Sequence, residues 1–270
     1  MTYKLLHGDA IEHMRTLDAN SIDFVCTDLP YGTTGQRWDV VIPFEPMWAQ
    51  IARVAKPSAA VLLFGQQPFT SLLIVSNMDW YRYSWVWEKP PTMGYLNANL
   101  RPLPSTEDIA LFCHTPGSTA YPNEPHMTYH PQNLVPSTRV RKNDAVYKHR
   151  GLSDTDADNA RYAQRYGNYP QTVIWFKVES PGLHPAQKPV DLMTYMIKTY
   201  SNPGDTVLDF AMGSATTGVA CVYTDRNFIG IENNSFYYDN SVLRMNHHSQ
   251  LAAEGATYDE RHRFAHEVSD

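Results

Sequence analysis

Cysteine is scarce in this chain. Cys26, Cys113 and Cys221 are the three in 270 residues, and their scatter excludes both a disulfide framework and a compact cysteine metal site. No run approaches 18 apolar residues, and the opening MTYKLLHGD has neither the basic start nor the apolar stretch of a signal peptide. The expectation is a cytoplasmic protein that makes no membrane contact and holds no metal. Positive charge is also in the minority, with 22 Lys and Arg against 28 Asp and Glu for a net charge of -6. That balance argues against coating a duplex over the whole surface, but it leaves room for a local basic groove. Neither a G-x-G-x-x-G fingerprint nor a GK[ST] phosphate loop occurs. A chain of this length buries roughly 70% of its unfolded surface, so its core needs no covalent staple.

What is present is an alternation of short apolar runs and amphipathic stretches. YKLLHGD, IDFVCTD (22–28), AAVLLFG (59–65), YSWVWEK (83–89), EDIALFC (107–113), DTVLDFAMG (205–213) and NFIGIE (227–232) read as seven strands. Between them, Ile11, Met14 and Leu17 recur at helical spacing behind Asp9 as a cap. Residues 43–56, ended by Pro57, and 190–200 have the same character. Strands almost free of polar residues are expected where helices cover both faces of a sheet. The fold class expected is therefore α/β, a Rossmann-like sheet of about seven strands.

The pattern breaks between residues 114 and 181, which are rich in proline. Sheet-like segments resume afterwards, so the stretch reads as an insertion into one domain formed by 1–113 and 182–250, with 251–270 as a C-terminal extension. Residues 121–170 carry seven basic side chains against five acidic ones, among them Arg139, Arg141, Lys142, Lys148 and Arg150, interleaved with tyrosines. Cations for phosphates and flat rings for bases are the ingredients of a nucleic-acid surface, although a solvated excursion has the same composition.

Two segments carry chemistry. Asp28-Leu29-Pro30-Tyr31-Gly32 directly follows an apolar strand, where open α/β sheets place ligand-binding loops. Asp209-Phe210-Ala211-Met212-Gly213-Ser214-Ala215-Thr216-Thr217-Gly218 reads as a strand, a glycine turn and a helix start, a place where backbone N–H groups approach a ligand closely. The next strand ends in Glu232, a position from which a carboxylate accepts hydrogen bonds from ribose hydroxyls.

This combination resembles the beta-type, circularly permuted DNA amino-methyltransferases. HGD at 7–9, YSWVWEKPPTMGYLNANLRPLPSTEDIALF at 83–112 and HPAQKP at 184–189 extend the resemblance over most of residues 5–245. The resemblance implies a methyltransferase sheet in permuted order, with the strands before Tyr31 and before Gly213 adjacent at its centre. It implies S-adenosylmethionine over Asp209, Phe210, Ala211, Gly213, Ser214 and Thr216, with Glu232 on the ribose, Asp9 near the adenine, and His184, Gln187 and Lys188 shaping the methionine side. From spacing alone, His184 is equally a cap and Lys188 equally a solvated lysine. Double-stranded DNA is the implied substrate, with 114–181 recognising a short or relaxed target, and a homodimer is the implied assembly.

The resemblance makes Asp28, Leu29, Pro30 and Tyr31 the catalytic tetrad. An exocyclic amine is a poor nucleophile because its lone pair is delocalised into the ring. The Asp28 carboxylate and the Leu29 carbonyl would each accept one N–H and draw the nitrogen towards tetrahedral geometry, while Tyr31 stacks on a flipped base. Trp38, Trp85 and Trp87 are candidates to assist. No cysteine follows a proline as in ring-carbon methyltransferases, so inert buried thiols are expected. Asp28 at the head of the tetrad favours adenine N6 over cytosine N4. Leu29, Phe210, Ala211 and Ala215 depart from the family pattern, and Ala215 is harmless only at negative φ. The alternatives are a cytosine-N4 enzyme, an RNA or protein amine methyltransferase, and a degenerate homologue that binds DNA without transfer.

Overall fold

The computed structural model describes residues 1–36, 39–89, 95–115, 126–138, 140–142, 161–163, 165–179, 184, 186–258. In chain order the large unit contains β1 (Tyr3–His7), α1 (Ala10–Arg15), β2 (Ile22–Asp28), α2 (Phe44–Val54), β3 (Ala55–Gly65), α3 (Phe69–Ser76), β4 (Tyr81–Glu88) and β5 (Thr106–Phe112). After the short strands β6 (Val135–Pro136), β7 (Val140–Lys142), β8 (Arg161–Ala163) and β9 (Tyr166–Gly167), the order resumes with β10 (Val173–Trp175), α4 (Val190–Tyr200) and β11 (Thr206–Asp209). It ends with α5 (Thr216–Thr224), β12 (Asn227–Glu232) and α6 (Ser235–Ala253).

Eight strands form one sheet in the order β1-β12-β11-β2-β3-β5-β4-β10. Within it, β5 runs antiparallel to both of its neighbours. The seven expected strands are all present, and the eighth, β10, pairs with β4 at the edge. β11 lies beside β2 in parallel register, Leu208 against Val25, so the two chemistry-bearing loops leave neighbouring strands at the same end of the sheet.

Period-two alternation divides each apolar run between two cores. Phe24, Cys26, Ala60, Leu62 and Phe64 pack with α4, α5 and Met245 of α6. Val25, Val61 and Leu63 pack with α1, α2 and α3, and a register shift between Ile22 and Phe24 puts Ile22 in that core too. Helix α2 buries Met47, Trp48, Ile51 and Val54 along one stripe, each fully buried side chain contributing about 1.5–3 kcal/mol. The helix is shorter than expected: it ends at Val54, and β3 begins at Ala55, two residues ahead of Pro57. Trp85 and Trp87 are core residues, their indole N–H groups donating to the Tyr200 hydroxyl and the Phe176 carbonyl. The three cysteines are buried and unpaired.

A second compact unit spans Pro131–Gln171, inside the stretch expected as an insertion. It contains the antiparallel pairs β6·β9 and β7·β8. Arg141 and Lys142 lie on β7; Arg139, Lys148 and Arg150 are outside the described residues, as is Trp38. No helix among the described residues is long and apolar enough to cross a membrane.

The turn between β11 and α5 does not meet the condition set for Ala215, a backbone at negative φ. Ala215 adopts φ 57 and ψ 39, a left-handed conformation that costs an L-residue about 1–2 kcal/mol. Replacing it with glycine relieves that strain and forfeits one buried methyl, worth about 0.8 kcal/mol. Ala215→Gly is therefore expected to raise unfolding stability by up to about 1 kcal/mol, read from the urea midpoint; a lowered midpoint refutes it.

Candidate active site

At the carboxyl end of the central strands lies a cavity of about 640 Å³, lined by Asp28, Leu29, Pro30 and Tyr31 together with Asp209, Phe210, Ala211, Gly213, Ser214, Thr216 and Glu232. This is within the range of cofactor sites. Asp9, His184, Gln187 and Lys188 line it as well. Every tetrad and cofactor residue singled out from the sequence thus faces one space.

One end is built on backbone amides and a carboxylate. Glu232, at the end of β12, accepts from the N–H of Gly213 at 2.9 Å and of Asn234 at 2.8 Å. The Asn233 N–H also hydrogen-bonds to it; a carboxylate has about four lone-pair sites, so Glu232 retains capacity for one ligand hydroxyl. Asp9 caps α1 by accepting from the Glu12 N–H at 2.9 Å. Gly213 has φ +51, and a Cβ there would meet the His184 ring at 3.6 Å. That ring packs edge-on against Tyr237 at 4.2 Å. Burial and the Lys188 charge push the His184 pKa down to about 4, so the imidazole is neutral near pH 7.

Ser214 and Thr216 are tied into the wall rather than aimed freely at the cavity. Ser214 donates to Gln187 Oε1 at 3.0 Å, and Arg244 of α6 donates to Ser214 and Thr216. Gln187 in turn donates to Glu179, whose other oxygen receives the Val190 N–H at 2.7 Å. Helix α4 has Pro189 at its N-cap with no side-chain cap bond, so Glu179 supplies the acceptor that its first turn lacks. Phe210 is buried in the core shared with α1 and α2 and also lines the cavity.

The other end is a run of alternating charges. Lys188 donates to Asp28 Oδ2 at 2.5 Å and reaches Glu107 Oε1 at 2.8 Å. Lys89 donates to Glu107 Oε2 at 2.7 Å. The Tyr31 hydroxyl lies 2.6 Å from Asp28 Oδ1 and 2.9 Å from Glu107 Oε1; it has one proton and can donate to only one of them at a time. Its ring rests on Phe69 at 5.2 Å. Asp28 keeps 21% of its side-chain surface exposed against 5% for Glu107, so Asp28 is the carboxylate more open to the cavity. Burial pushes the Asp28 pKa up and Glu107 adds to that, while Lys188 and Tyr31 oppose it. Glu107 is also subject to burial, but its two lysines prevail and hold it down at about 2.

Beyond Tyr31 the loop is pinned by Asp39. Its carboxylate accepts from the N–H groups of Gly32, Thr33 and Thr34 at 2.7–2.8 Å and from the Thr34 hydroxyl at 2.7 Å. Sequence reasoning missed Glu107, Lys89 and Asp39, and it placed Lys188 with the cofactor rather than on Asp28. The available signals were an acid near the start of the apolar strand EDIALFC and a lysine ending YSWVWEK.

An open, mostly parallel sheet with an acidic tetrad loop beside a glycine turn defines an α/β ligand-binding site at the carboxyl ends of its strands, and comparison with known proteins narrows it. Residues 22–243 match the N6/N4 DNA methylase family, and the chain belongs to that family. It is 26% identical over 259 residues to the type II methyltransferase M.HpaI of Haemophilus parainfluenzae, covering 91% of this chain and 74% of that protein. It is 25% identical over 271 residues to the DNA adenine methyltransferase YhdJ of Escherichia coli K12, covering 93% and 85%. In fold it is similar to the M1.HpyAVI–SAM complex, with a TM-score of 0.59, 23% identity and coverage of 90% and 100%. The cytosine-N4-specific PvuII DNA methyltransferase matches at a TM-score of 0.59, with 14% identity and coverage of 96% and 95%.

Asp209 links the two ends. It accepts from the Thr217 hydroxyl at 2.5 Å and the Ala211 N–H at 3.2 Å, yet burial outweighs these bonds and pushes its pKa up to about 7. The folded state therefore holds this proton more tightly than the unfolded chain. The resulting stability is complete below about pH 4 and is lost as pH rises to about 7. Asp209→Asn is expected to flatten that decline. Between pH 4 and pH 8 the stability difference should move in the variant's favour by up to about 4 kcal/mol in urea titrations. A difference that does not vary with pH refutes this.

Proposed function

We propose that the chain transfers a methyl group from S-adenosylmethionine to the exocyclic N6 amine of an adenine flipped out of double-stranded DNA, at a short or relaxed target. The observation that carries this reading is the single cavity lined by both Asp28 and Gly213. The residues fit the cofactor: Glu232 retains acceptor capacity for one ribose hydroxyl, Gly213 leaves room above its turn, and Asp28 provides negative charge near a sulfonium. When bound, S-adenosylmethionine supplies an activated methyl group.

The chain's own residues orient the amine. Asp28, the more open carboxylate, accepts one N–H, and the Leu29 carbonyl accepts the second, which aims the nitrogen lone pair across the cavity. Leu29 in place of a proline leaves that carbonyl available. Flipping a base costs a few kcal/mol, and stacking on one ring returns roughly 1–3 kcal/mol. Tyr31 therefore needs help, and the loop held by Asp39 is placed to give it. Asp28 at the head of the tetrad and the similarity to the adenine methyltransferase of Escherichia coli support adenine. The likeness to the cytosine-N4-specific enzyme keeps cytosine N4 as the second reading, because both bases offer the same amine to the same acceptors.

Labelled methyl transfer from S-adenosylmethionine to unmodified DNA, followed by nucleoside analysis, tests this. N6-methyladenine is expected, and it disappears in Asp28→Ala; N4-methylcytosine would transfer the proposal to the second base, and no labelled nucleoside would end it. The basic cluster Arg139, Arg141, Lys142, Lys148 and Arg150 is assigned to phosphates in the same proposal. Reversing these charges is expected to weaken DNA binding and flatten the log–log salt dependence by about 0.9 for each phosphate no longer neutralised. An unchanged slope removes them from the interface.

A further inference from the structure

Lys188 lies on a carboxylate other than the one needed to grip an amine as well as on that one. Its ammonium bridges Asp28 Oδ2 and Glu107 Oε1, with its charge above the Phe64 ring at 5.1 Å and only 8% of its side chain exposed. Taking an ammonium out of water is repaid only where its partners' geometry is good and its hydrogen bonds are satisfied. Glu107 is itself fixed from the far side by Lys89. The four side chains come from β2, β5, the end of β4 and the segment before α4, so no single element determines the arrangement.

We propose that Lys188 is a positioning residue for methyl transfer: bridged between Asp28 and Glu107, it holds the Asp28 carboxylate ionised and oriented in a site that offers it little water. The inference rests on the proposed function, since it assigns Asp28 to the substrate amine. Glu107 has a double effect. It anchors Lys188, and as a second anion beside Asp28 it also favours protonation there. The groups facing Asp28 are Lys188, Glu107 and the Tyr31 hydroxyl, with Asp209 on the neighbouring strand. Among these, Lys188 is the cation. Without it, a poorly solvated Asp28 takes up a proton at higher pH, and a protonated acid offers the amine one fewer acceptor.

The two partners therefore have opposite effects on the same titration. Lys188→Met is expected to move the acid limb of kcat/KM upward by about one pH unit or more, which is about tenfold in rate at a pH on that limb. Because Glu107→Gln removes the competing anion and keeps the ammonium, it is expected to move the limb downward. Lys188→Arg keeps the charge and is expected to hold the limb near that of the parent. KM for S-adenosylmethionine should change less than about threefold in all three variants, since the ammonium contacts the carboxylates.

The same titration is read without turnover by ¹³C NMR of the Asp28 carboxyl, assigned by its disappearance in Asp28→Asn. Opposite displacements of that resonance's midpoint in Lys188→Met and Glu107→Gln support the inference. Midpoints that stay put, or move in the same direction, overturn it. Should Lys188→Met fail to fold, Glu107→Gln and Lys188→Arg carry the comparison, and a Glu107→Gln midpoint at or above that of the parent overturns it. A parent chain that transfers no methyl, yet shows the opposite displacements, would refute the proposed function and leave the electrostatic role of Lys188 standing.

Discussion

Parallel pairing of β11 with β2 is the constraint on which the site depends. Leu208 opposite Val25 sets Asp209 and Asp28 at one edge of the sheet, and the Phe210 N–H reaches the Thr27 hydroxyl across 183 residues of sequence. Because both strands are buried on both faces, a slip of one residue would exchange the two core faces and turn each carboxylate away from the cavity. The alternation that sends Phe24 and Val25 into different cores thus also aims the loops that follow.

Much of this arrangement was legible in the sequence, and the reasons differ by element. Helix α4 matches its expected range, 190–200, because its apolar positions recur at helical spacing between Pro189 and Ser201. The β11–β2 neighbourhood was implied by the resemblance to the permuted methyltransferases, not by any local pattern, and the parallel pairing of the two strands bears it out. The Asp9 cap was readable because an N-cap is a local interaction. The acid–lysine run was not: Lys188 and Asp28 are 160 residues apart, and a lysine bound by two buried acids is written with the same letter as one in solvent. The handedness of Ala215 was not legible either, since nothing in its neighbours announces a left-handed backbone.

The site combines two opposite treatments of buried acid. At one end Asp28 and Glu107 are matched by Lys188 and Lys89; attraction prevails over burial at Glu107, which has both lysines, while at Asp28, which has Lys188 alone, burial still prevails and its pKa is raised. At the other, Asp209 has hydroxyl and amide donors, and burial prevails. Charged groups taken out of water remain charged only where a full counter-charge meets them. The end that holds Asp28 and Glu107 has those counter-charges, whereas the end that shapes the turn after β11 manages with dipoles.

The long separation between β2 and β11 bears on how the chain is made. During synthesis at about 5–20 residues per second, β2 emerges roughly ten to forty seconds before the strand that completes its pairing. In that interval β3, β5 and β4 can extend the sheet on one side of β2, while its other edge stays open, an apolar strand of the kind that favours wrong partners. Asp28, at the end of β2, therefore has no β11 neighbour and no Asp209 beside it until the chain has been made past residue 209.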